Sequence, residues 1–194
     1  MKTLLRQFAI PITISLVAAL IQAAPILHEH LIYQTNQLPK EAWRYLSANL
    51  VHTNWPHYLM NCCALLLLYD FFQGYDKPKA FVLAFILISL GNTFLLSLFP
   101  SIHWYVGMSG TLHGIIIWGT LIYLYPKAPK TASALLSVTL AKVGYEAWSD
   151  GQSISSTLID ARVVYEAHFT GILCGFFVAF IYYLMRRVYC SDNP

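Results

Sequence analysis

A serine beside glycines, in the stretch Gly107-Met108-Ser109-Gly110, opens an apolar run that continues to Tyr125. The first turn of a helix leaves backbone N–H groups unpaired, and the helix dipole favours negative charge there. A serine nucleophile and the oxyanion formed during acyl transfer would both use these features. The alternative is that Ser109 only caps the helix, while the glycines allow close packing. The stretch therefore predicts either a nucleophile or a helix cap, and other residues must decide.

His168 is the candidate base for Ser109. A histidine inside an apolar helix is energetically costly, so its presence suggests a functional role. A hydrogen bond between the two side chains requires their helices to approach closely, and both helices carry small residues at helical spacing that permit this. These glycines are Gly110 and Gly114 after the serine, and Gly171 and Gly175 after the histidine. The alternative is a structural histidine that bonds to a neighbouring carbonyl group.

A further polar pair, His57 and Asn61, lies four positions apart at the start of another apolar segment. Residues at this spacing lie on the same face of a helix. Both side chains can donate hydrogen bonds, so they are candidates for stabilising an oxyanion. The alternative is a polar contact between two helices.

Histidine is also a common metal ligand, and the candidate set comprises His52, His57, His113 and His168. Zinc proteases usually carry a His-Glu-x-x-His motif, which also provides a carboxylate base. The chain has no such motif and no Cys/His spacing typical of zinc. The sequence therefore predicts no metal ion and no other cofactor.

The composition indicates a membrane protein with a single domain over residues 1–194. Hydrophobic residues make up 57% of the chain and charged residues only 11%, whereas soluble domains carry about 25% charged residues. The cysteines do not indicate a disulfide framework, because Cys62, Cys63 and Cys174 lie in apolar runs and Cys190 lies in the tail. Motifs for nucleic acids, phosphate loops and dinucleotides are absent, so no nucleic-acid partner is predicted.

Six apolar segments predict an all-α bundle of six transmembrane helices, because each is close to the ~20 residues that a spanning helix needs. Their approximate ranges are 8–27, 55–73, 80–99, 107–125, 131–148 and 165–185. The first could be a signal peptide, since small residues precede Pro25, but the apolar run continues through Leu27 and favours a retained helix. The fifth is the least certain, because Lys142 and Glu146 interrupt it.

The distribution of Lys and Arg predicts that both termini are cytoplasmic. The outer loops then hold only Lys40, Arg44 and Arg162, while the inner segments hold Lys2, Arg6, Lys77, Lys79, Lys127, Lys130, Arg186 and Arg187. In this orientation the second, fourth and sixth helices all run inward from the outer surface. Their beginnings carry His57, Ser109 and His168, so these three side chains are expected at one depth.

Two outer loops are long. Residues 28–54 contain Trp43, which suits a membrane interface, and Glu41 can pair with Arg44 three positions later. A partly helical surface segment fits this stretch, and an ordinary interfacial loop fits it equally. Residues 149–164 are polar, and we expect a flexible loop that covers the outer end between the fifth and sixth helices.

Together these motifs resemble those of the rhomboid intramembrane serine proteases. The matching pieces occur in the family's order over nearly the whole chain, and they are Trp43-Arg44, His57-x-x-x-Asn61, Gly107-Met108-Ser109-Gly110 and Ala167-His168-x-x-Gly171-x-x-x-Gly175. The resemblance implies a dyad of Ser109 and His168 without an aspartate, and an oxyanion site of His57, Asn61 and the Ser109 backbone N–H. It also implies a bacterial inner-membrane protein whose site faces the periplasm, and transmembrane protein substrates that enter from the lipid near the fifth helix.

His113 is a departure from many bacterial rhomboids, which carry a tyrosine four residues after the serine. Together with the short chain and the stretch 49–55, His113 resembles the rhombosortase branch of the family. That branch is associated with protein substrates that bear a C-terminal Gly-Gly-containing sorting helix. His113 could also be a third polar member of the site, since the sequence does not separate stacking from proton handling.

Three alternatives to a rhombosortase remain open at this point. They are a general rhomboid protease with other transmembrane substrates, a silent relative that binds membrane proteins, and a carrier that uses membrane histidines for haem or a metal ion. Silent relatives usually lack the serine or the histidine, and this chain has both Ser109 and His168.

Overall fold

The computed structural model describes residues 6–74 and 77–191, with side chains up to Arg187. Lys2 and the side chain of Cys190 lie outside the described part. The helices are α1 (Ala9–Gln22), α2 (His28–Leu31), α3 (Arg44–Ser47), α4 (Trp55–Phe71), α5 (Pro78–Leu96), α6 (Ser109–Gly119), α7 (Pro129–Trp148), α8 (Ile154–Ile159) and α9 (Tyr165–Ser191). A π-helical turn, Thr120–Leu124, continues α6, and 3-10 turns occupy Pro25–Leu27 and Ala48–Leu50. Two short antiparallel strands, β1 (Tyr33–Gln34) and β2 (Trp104–Tyr105), pair on the loops.

Prolines and one asparagine fix where three of the long helices begin. Pro56, Pro78 and Pro129 lie in the first turns of α4, α5 and α7, where the missing N–H is not needed and the fixed φ suits a helix. Asn54 caps α4, since its side-chain oxygen accepts the backbone N–H of His57 at 2.9 Å. This cap places His57 in the first turn of α4.

The first helix is shorter than the sequence predicts. α1 ends at Gln22, and the helical stretch Pro25–Leu31 follows after a bend of 95°. Pro25 disfavours a helical conformation at the residue before it, and Ala24 accordingly has φ −121° and ψ 78°. The predicted range 8–27 is therefore too long, because the apolar run through Leu27 does not continue as one straight helix.

The segment 149–164 is more ordered than the flexible loop expected from its polar composition. It contains α8, which begins with a reciprocal capping box between Ser153 and Ser156. The side chain of Ile159 is buried, and its carbonyl oxygen accepts a hydrogen bond from Nδ2 of Asn54 at 2.9 Å. The segment is thus attached to the beginning of α4.

Arg44 anchors the segment that precedes α4. Its guanidinium is buried and forms an ion pair with Glu41, so the pairing expected from their spacing is present. Nη1 also donates to the carbonyl oxygens of Glu29 at 2.8 Å and Ile32 at 2.6 Å. Hydrogen bonds to a charged donor are the strong ones, so this residue ties α3 to the chain that leaves α2.

Within the described residues, two helices are long and apolar enough to cross a membrane, namely α5 and the part of α9 from Tyr165 to Arg187. The bent pair of α1 and Pro25–Leu31 would make a third, and the apolar stretch Ser109–Leu124 is shorter. Large apolar side chains are exposed on α1, α4, α5, α7 and α9, and examples are Leu20, Leu67, Phe94, Val138 and Phe180. Such extensive exposed apolar surface indicates a membrane protein.

Helix α6 lies inside the bundle, where almost every side chain from Gly110 to Gly119 is buried. It packs against α9, α5 and α4, and its core partners on α5 include Phe81, which meets Trp118, and Ile88, which lies beside Gly114. Burial on all sides holds this helix rigidly. Its first residue, Ser109, is therefore presented from a fixed backbone.

Candidate active site

Ser109 and His168 lie within hydrogen-bond distance of each other. Ser109 is the first residue of α6 and His168 lies in the first turn of α9, and Oγ of the serine is 2.9 Å from Nε2 of the histidine. The histidine is only 4% exposed, whereas the serine is partly accessible. The structure thus brings together two side chains that are 59 positions apart, at the separation that a nucleophile and its base need.

Glycines allow the two helices to approach closely enough for this contact. A Cβ atom at Gly171 of α9 would overlap the carbonyl oxygen of Gly110 in α6, and one at Gly175 would overlap the carbonyl oxygen of Gly114. The same is true in the other direction, since a Cβ at Gly114 would lie 2.6 Å from the carbonyl oxygen of Gly171. The neighbours here are backbone atoms, which cannot rotate away, so the approach depends on the absence of side chains.

Gly107 brings the chain into α6 beside the ring of His57. Its φ is +117°, a conformation that side chains with a Cβ rarely adopt, and a Cβ here would lie 2.8 Å from Cε1 of His57. The hydroxyl of Tyr105 donates to the carbonyl oxygen of Gly107 at 2.6 Å and fixes the turn. The ring of His57 therefore packs directly against the backbone that leads to Ser109.

His57 and Asn61 present hydrogen-bond donors close to the serine. The backbone N–H of Thr53 is 3.4 Å from Nδ1 of His57, and since an N–H group can only donate, the proton of the neutral ring lies on Nε2. Nδ2 of Asn61 is buried and has no hydrogen-bond partner among the described residues. Both side chains line the same cavity as Ser109, so each brings a hydrogen-bond donor group to its wall.

His113 lies against the other face of the pair. Its ring stacks on the ring of His168 with a centroid separation of 4.1 Å and an interplanar angle of 19°. Nδ1 donates to the carbonyl oxygen of Ser109 at 2.7 Å, which leaves Nε2 as an acceptor 3.3 Å from Nζ of Lys142. His113 therefore contacts His168 through its ring face and Ser109 through the backbone carbonyl group of the serine.

A carboxylate lies behind the histidine. Oε2 of Glu146, near the C-terminal end of α7, is 2.7 Å from Nδ1 of His168. Oε1 of the same carboxylate is 2.7 Å from Nζ of Lys142, one turn earlier on α7. The glutamate is only 1% exposed, and both of its oxygens are paired.

A cavity of about 400 Å³ opens beside these groups. It lies between α4, α6 and the segment 149–164, and its walls are mostly apolar, with Met60, Leu67 and Ile116 among them. A mainly apolar cleft with a few convergent polar groups is the usual form of a binding site. The accessible side of Ser109 faces this cavity.

The family model of the Rhomboid domain matches residues 39–185. The chain belongs to the rhomboid family. A comparison with curated proteins finds no match. Members of the rhomboid family are intramembrane serine proteases that act on transmembrane substrates, and the matched region of this rhomboid contains every polar residue of the site described above.

Sequence reasoning about this rhomboid missed the contact between Glu146 and His168. It assigned Lys142 and Glu146 only to an interruption of the fifth apolar segment. The sequence did contain one indication of this contact. A carboxylate inside a hydrophobic helix suggests a functional role for that residue. Its partner depends on how α7 packs against α9, which residue spacing does not reveal.

The histidines that could have formed a metal site have other neighbours in the structure. Within the described residues, no group of three or more His, Cys, Asp and Glu side chains is arranged to hold a metal ion. His52 packs edge-on against His57, with 5.0 Å between ring centroids. Burial, and next the nearby His57, lower the pKa of His52 to about 3, so this ring is neutral and serves as a packing partner for His57.

Proposed function

We propose that this rhomboid is an active serine endopeptidase that cleaves transmembrane proteins, with Ser109 as nucleophile and His168 as general base. The observation that carries the proposal is the 2.9 Å distance between Oγ of Ser109 and Nε2 of His168. The cavity beside Ser109 supports it, since an extended substrate segment needs access to the hydroxyl. Family membership supports the reaction class.

The reaction proceeds by acyl transfer. Oγ of Ser109 bonds to the scissile carbonyl carbon while its proton passes to Nε2 of His168, and the carbonyl oxygen becomes an oxyanion. Collapse of this intermediate breaks the peptide C–N bond, and His168 delivers the proton to the leaving amine. Water then attacks the acyl ester and gives a proton to His168, which returns it to Oγ of Ser109 as the new carboxyl group departs.

His57, Asn61 and the backbone N–H of Ser109 stabilise the oxyanion in this proposal. Nδ2 of Asn61 is buried without a partner among the described residues, and an unsatisfied buried donor costs about 1–3 kcal/mol. An oxyanion would satisfy this donor only in the transition state. Interactions that form only there raise kcat rather than tighten ground-state binding.

A fluorophosphonate probe tests the nucleophile without requiring a known substrate. We expect the purified protein to be labelled, and labelling to be lost in Ser109→Ala and in His168→Ala. Labelling should persist after treatment with a metal chelator. Labelling of Ser109→Ala at the wild-type level would contradict the proposal, and so would loss of labelling on chelation.

The alternative of a haem or metal carrier has less support from the geometry. Both ring nitrogens of His168 have partners, in Ser109 and Glu146. Both ring nitrogens of His113 also have partners, in the Ser109 carbonyl and Lys142. A silent, binding-only relative has less support because the serine and histidine are not merely present but lie at bonding distance.

We infer further that this rhomboid is a rhombosortase that processes C-terminal Gly-Gly sorting anchors at the periplasmic face of a bacterial inner membrane. His113 supports this branch, since it occupies the place of the tyrosine of many bacterial rhomboids and stacks on His168. The six long helices would all span the membrane, with both termini in the cytoplasm. The alternative is a general rhomboid protease with other transmembrane substrates.

A further inference from the structure

Glu146 is too deeply buried to be explained as an ordinary surface charge. Its side chain is 1% exposed, and removing a carboxylate from water costs several kcal/mol unless it is well paired. The pairing is complete, since Oε2 meets Nδ1 of His168 at 2.7 Å and Oε1 meets Nζ of Lys142 at 2.7 Å. The backbone carbonyl of Glu146 also accepts the N–H of Gly151 at 2.7 Å, which closes the end of α7.

These contacts fix which nitrogen of His168 carries the proton. An ionised carboxylate can only accept hydrogen bonds, so Nδ1 of His168 must be the donor to Glu146. The neutral ring then has its lone pair on Nε2, which is the nitrogen 2.9 Å from Oγ of Ser109. Without the carboxylate, the ring could place its proton on Nε2 instead and could not accept the serine proton.

We propose that Glu146 is a positioning residue that completes a relay of Ser109, His168 and Glu146. This inference rests on the proposed protease function and adds a carboxylate to the dyad that the family resemblance implies. Glu146 holds His168 in the tautomer and orientation of a general base. Its charge also compensates the imidazolium that forms when the serine proton is taken up.

Lys142 and His113 extend the relay into a closed ring of contacts. Nζ of Lys142 donates to Oε1 of Glu146 and to Nε2 of His113, and Nδ1 of His113 donates to the carbonyl oxygen of Ser109. The ring returns to Ser109, whose hydroxyl donates to His168. Each member therefore restrains the next, as a preorganised site requires.

The decisive variant is Glu146→Gln, which keeps the size of the side chain and removes its charge. We expect the second-order rate of fluorophosphonate labelling to fall on the order of 10²- to 10⁴-fold, as when the carboxylate of a serine–histidine pair is replaced by an amide. With a cleavable substrate, kcat should fall by a similar factor while KM changes little. Glu146→Asp restores the charge and should recover part of the rate.

Glu166→Gln is the matched control, because it also removes a carboxylate close to His168. Oε1 of Glu166 pairs with Nη2 of Arg162 at 3.0 Å, and neither carboxylate oxygen is hydrogen-bonded to the ring of His168 in the described structure. We expect this variant to be labelled within a few-fold of wild type. Thermal unfolding in detergent should show that both variants are folded.

The labelling rate of the small fluorophosphonate probe reports on the chemistry and not on the entry of a substrate helix. If Glu146 only held α7 for entry, a folded Glu146→Gln protein would be labelled at the wild-type rate and only KM would rise, and this result would overturn the inference. If the glutamine variant does not fold, Glu146→Asp provides the test: it keeps the charge but moves the carboxylate away from Nδ1, so it should be labelled more slowly than wild type, and labelling at the wild-type rate would overturn the inference. Labelling of Ser109→Ala would instead contradict the protease proposal itself. Failure of the inference about Glu146 and failure of the protease proposal therefore give different results.

Discussion

The hydroxyl proton of Ser109 has a direct path to His168, because Oγ and Nε2 are 2.9 Å apart. The backbone of the same serine is held independently, since its carbonyl oxygen accepts Nδ1–H of His113 at 2.7 Å. Ser109 begins a buried helix whose position is set by core packing. Substituting the hydroxyl should therefore affect the chemistry much more than the fold.

Ser109→Ala and His168→Ala should each reduce cleavage by more than about 10³-fold, and the double variant should be little worse than either single variant. Nucleophile and base act as one unit, so removing either already removes the mechanism. Initial rates of product formation, measured with purified protein and a transmembrane substrate, provide the test. Substantial turnover by a folded Ser109→Ala protein would refute the mechanism.

His57→Ala and Asn61→Ala should lower kcat with little change in KM. Removal of one oxyanion donor costs on the order of 10²- to 10³-fold in kcat, and the remaining donor and the backbone N–H of Ser109 can reduce this loss. Steady-state kinetics of both single variants and the double variant provide the measurement. An unchanged kcat in all three would show that these residues are structural.

A site residue can be predicted from the sequence when its own position, or its spacing from another residue on the same helix, indicates its role. Ser109 and His168 are conspicuous in the sequence because polar groups are costly in apolar helices, and His57 and Asn61 are linked by a spacing of one helical turn. Glu146 was equally conspicuous, but its function depends on a contact between two helices. Spacing along one helix does not encode which neighbour a side chain meets.

The contact between α6 and α9 is the element on which the dyad depends. Small residues on both helices let their backbones touch, with Gly171 against Gly110 and Gly175 against Gly114. The sequence predicts close packing from the spacing of these glycines. It does not predict the partners or the register, which decide that Oγ of Ser109 and Nε2 of His168 meet.

Gly171→Ala should reduce both activity and thermal stability. Its added methyl group would overlap the carbonyl oxygen of Gly110, so α6 and α9 must separate. Overpacking of this kind costs about 1–3 kcal/mol, and a shift of about 1 Å can reduce catalysis about 10²-fold. Thermal unfolding in detergent and probe labelling measure the two effects.

Gly144→Ala is the control for that substitution. A Cβ at Gly144 on α7 has no neighbouring atom within 4 Å among the described residues, so the added methyl group should cause no clash. Alanine is the better helix former by about 1 kcal/mol, and stability should be unchanged or slightly higher. Full activity and stability in Gly171→Ala would show that close approach of α6 and α9 is not required.

Helix α7 connects the proposed route of substrate entry to the proposed chemistry. The family resemblance implies that substrates enter from the lipid near α7, which is the fifth of the predicted transmembrane helices. The C-terminal end of α7 also carries Glu146, which contacts His168, and the segment 149–164 is attached to α4, because the carbonyl oxygen of Ile159 accepts a hydrogen bond from the capping residue Asn54. Displacement of the C-terminal end of α7 would break the contact between Glu146 and His168, so in the proposed mechanism substrate entry and cleavage are separate steps.

At the scale of the whole molecule, the direction of the helices explains why the polar groups meet. His57, Ser109 and His168 all lie in the first turns of their helices, α4, α6 and α9. Helices that start at a common level gather their polar first turns there. The sequence predicts a common depth for these three residues from the alternation of helices and the distribution of Lys and Arg, whereas it did not predict the bend after α1, which follows from the local effect of Pro25.

The final prediction concerns the substrate and the side of cleavage. The proposed orientation places Ser109 near the periplasmic surface, so cleavage should occur at the outer end of a substrate helix. The scissile segment must be extended to reach the hydroxyl, and glycine relaxes a helix at a cost of about 1 kcal/mol per residue. A C-terminal anchor that begins with Gly-Gly meets both requirements.

Co-expression of this rhomboid with such an anchored protein, followed by mass spectrometry of the new C-terminus, tests this prediction. We expect a cut near Gly-Gly that is absent with Ser109→Ala, and reduced cleavage when the two glycines are replaced by leucine. A cut at the cytoplasmic end of the anchor would overturn the orientation, because Ser109 would then lie at the wrong surface. This rhomboid could instead cleave general rhomboid substrates efficiently and leave Gly-Gly anchors intact. That result would support the protease function and exclude the sorting role, because the dyad would be active but the cavity would select another segment.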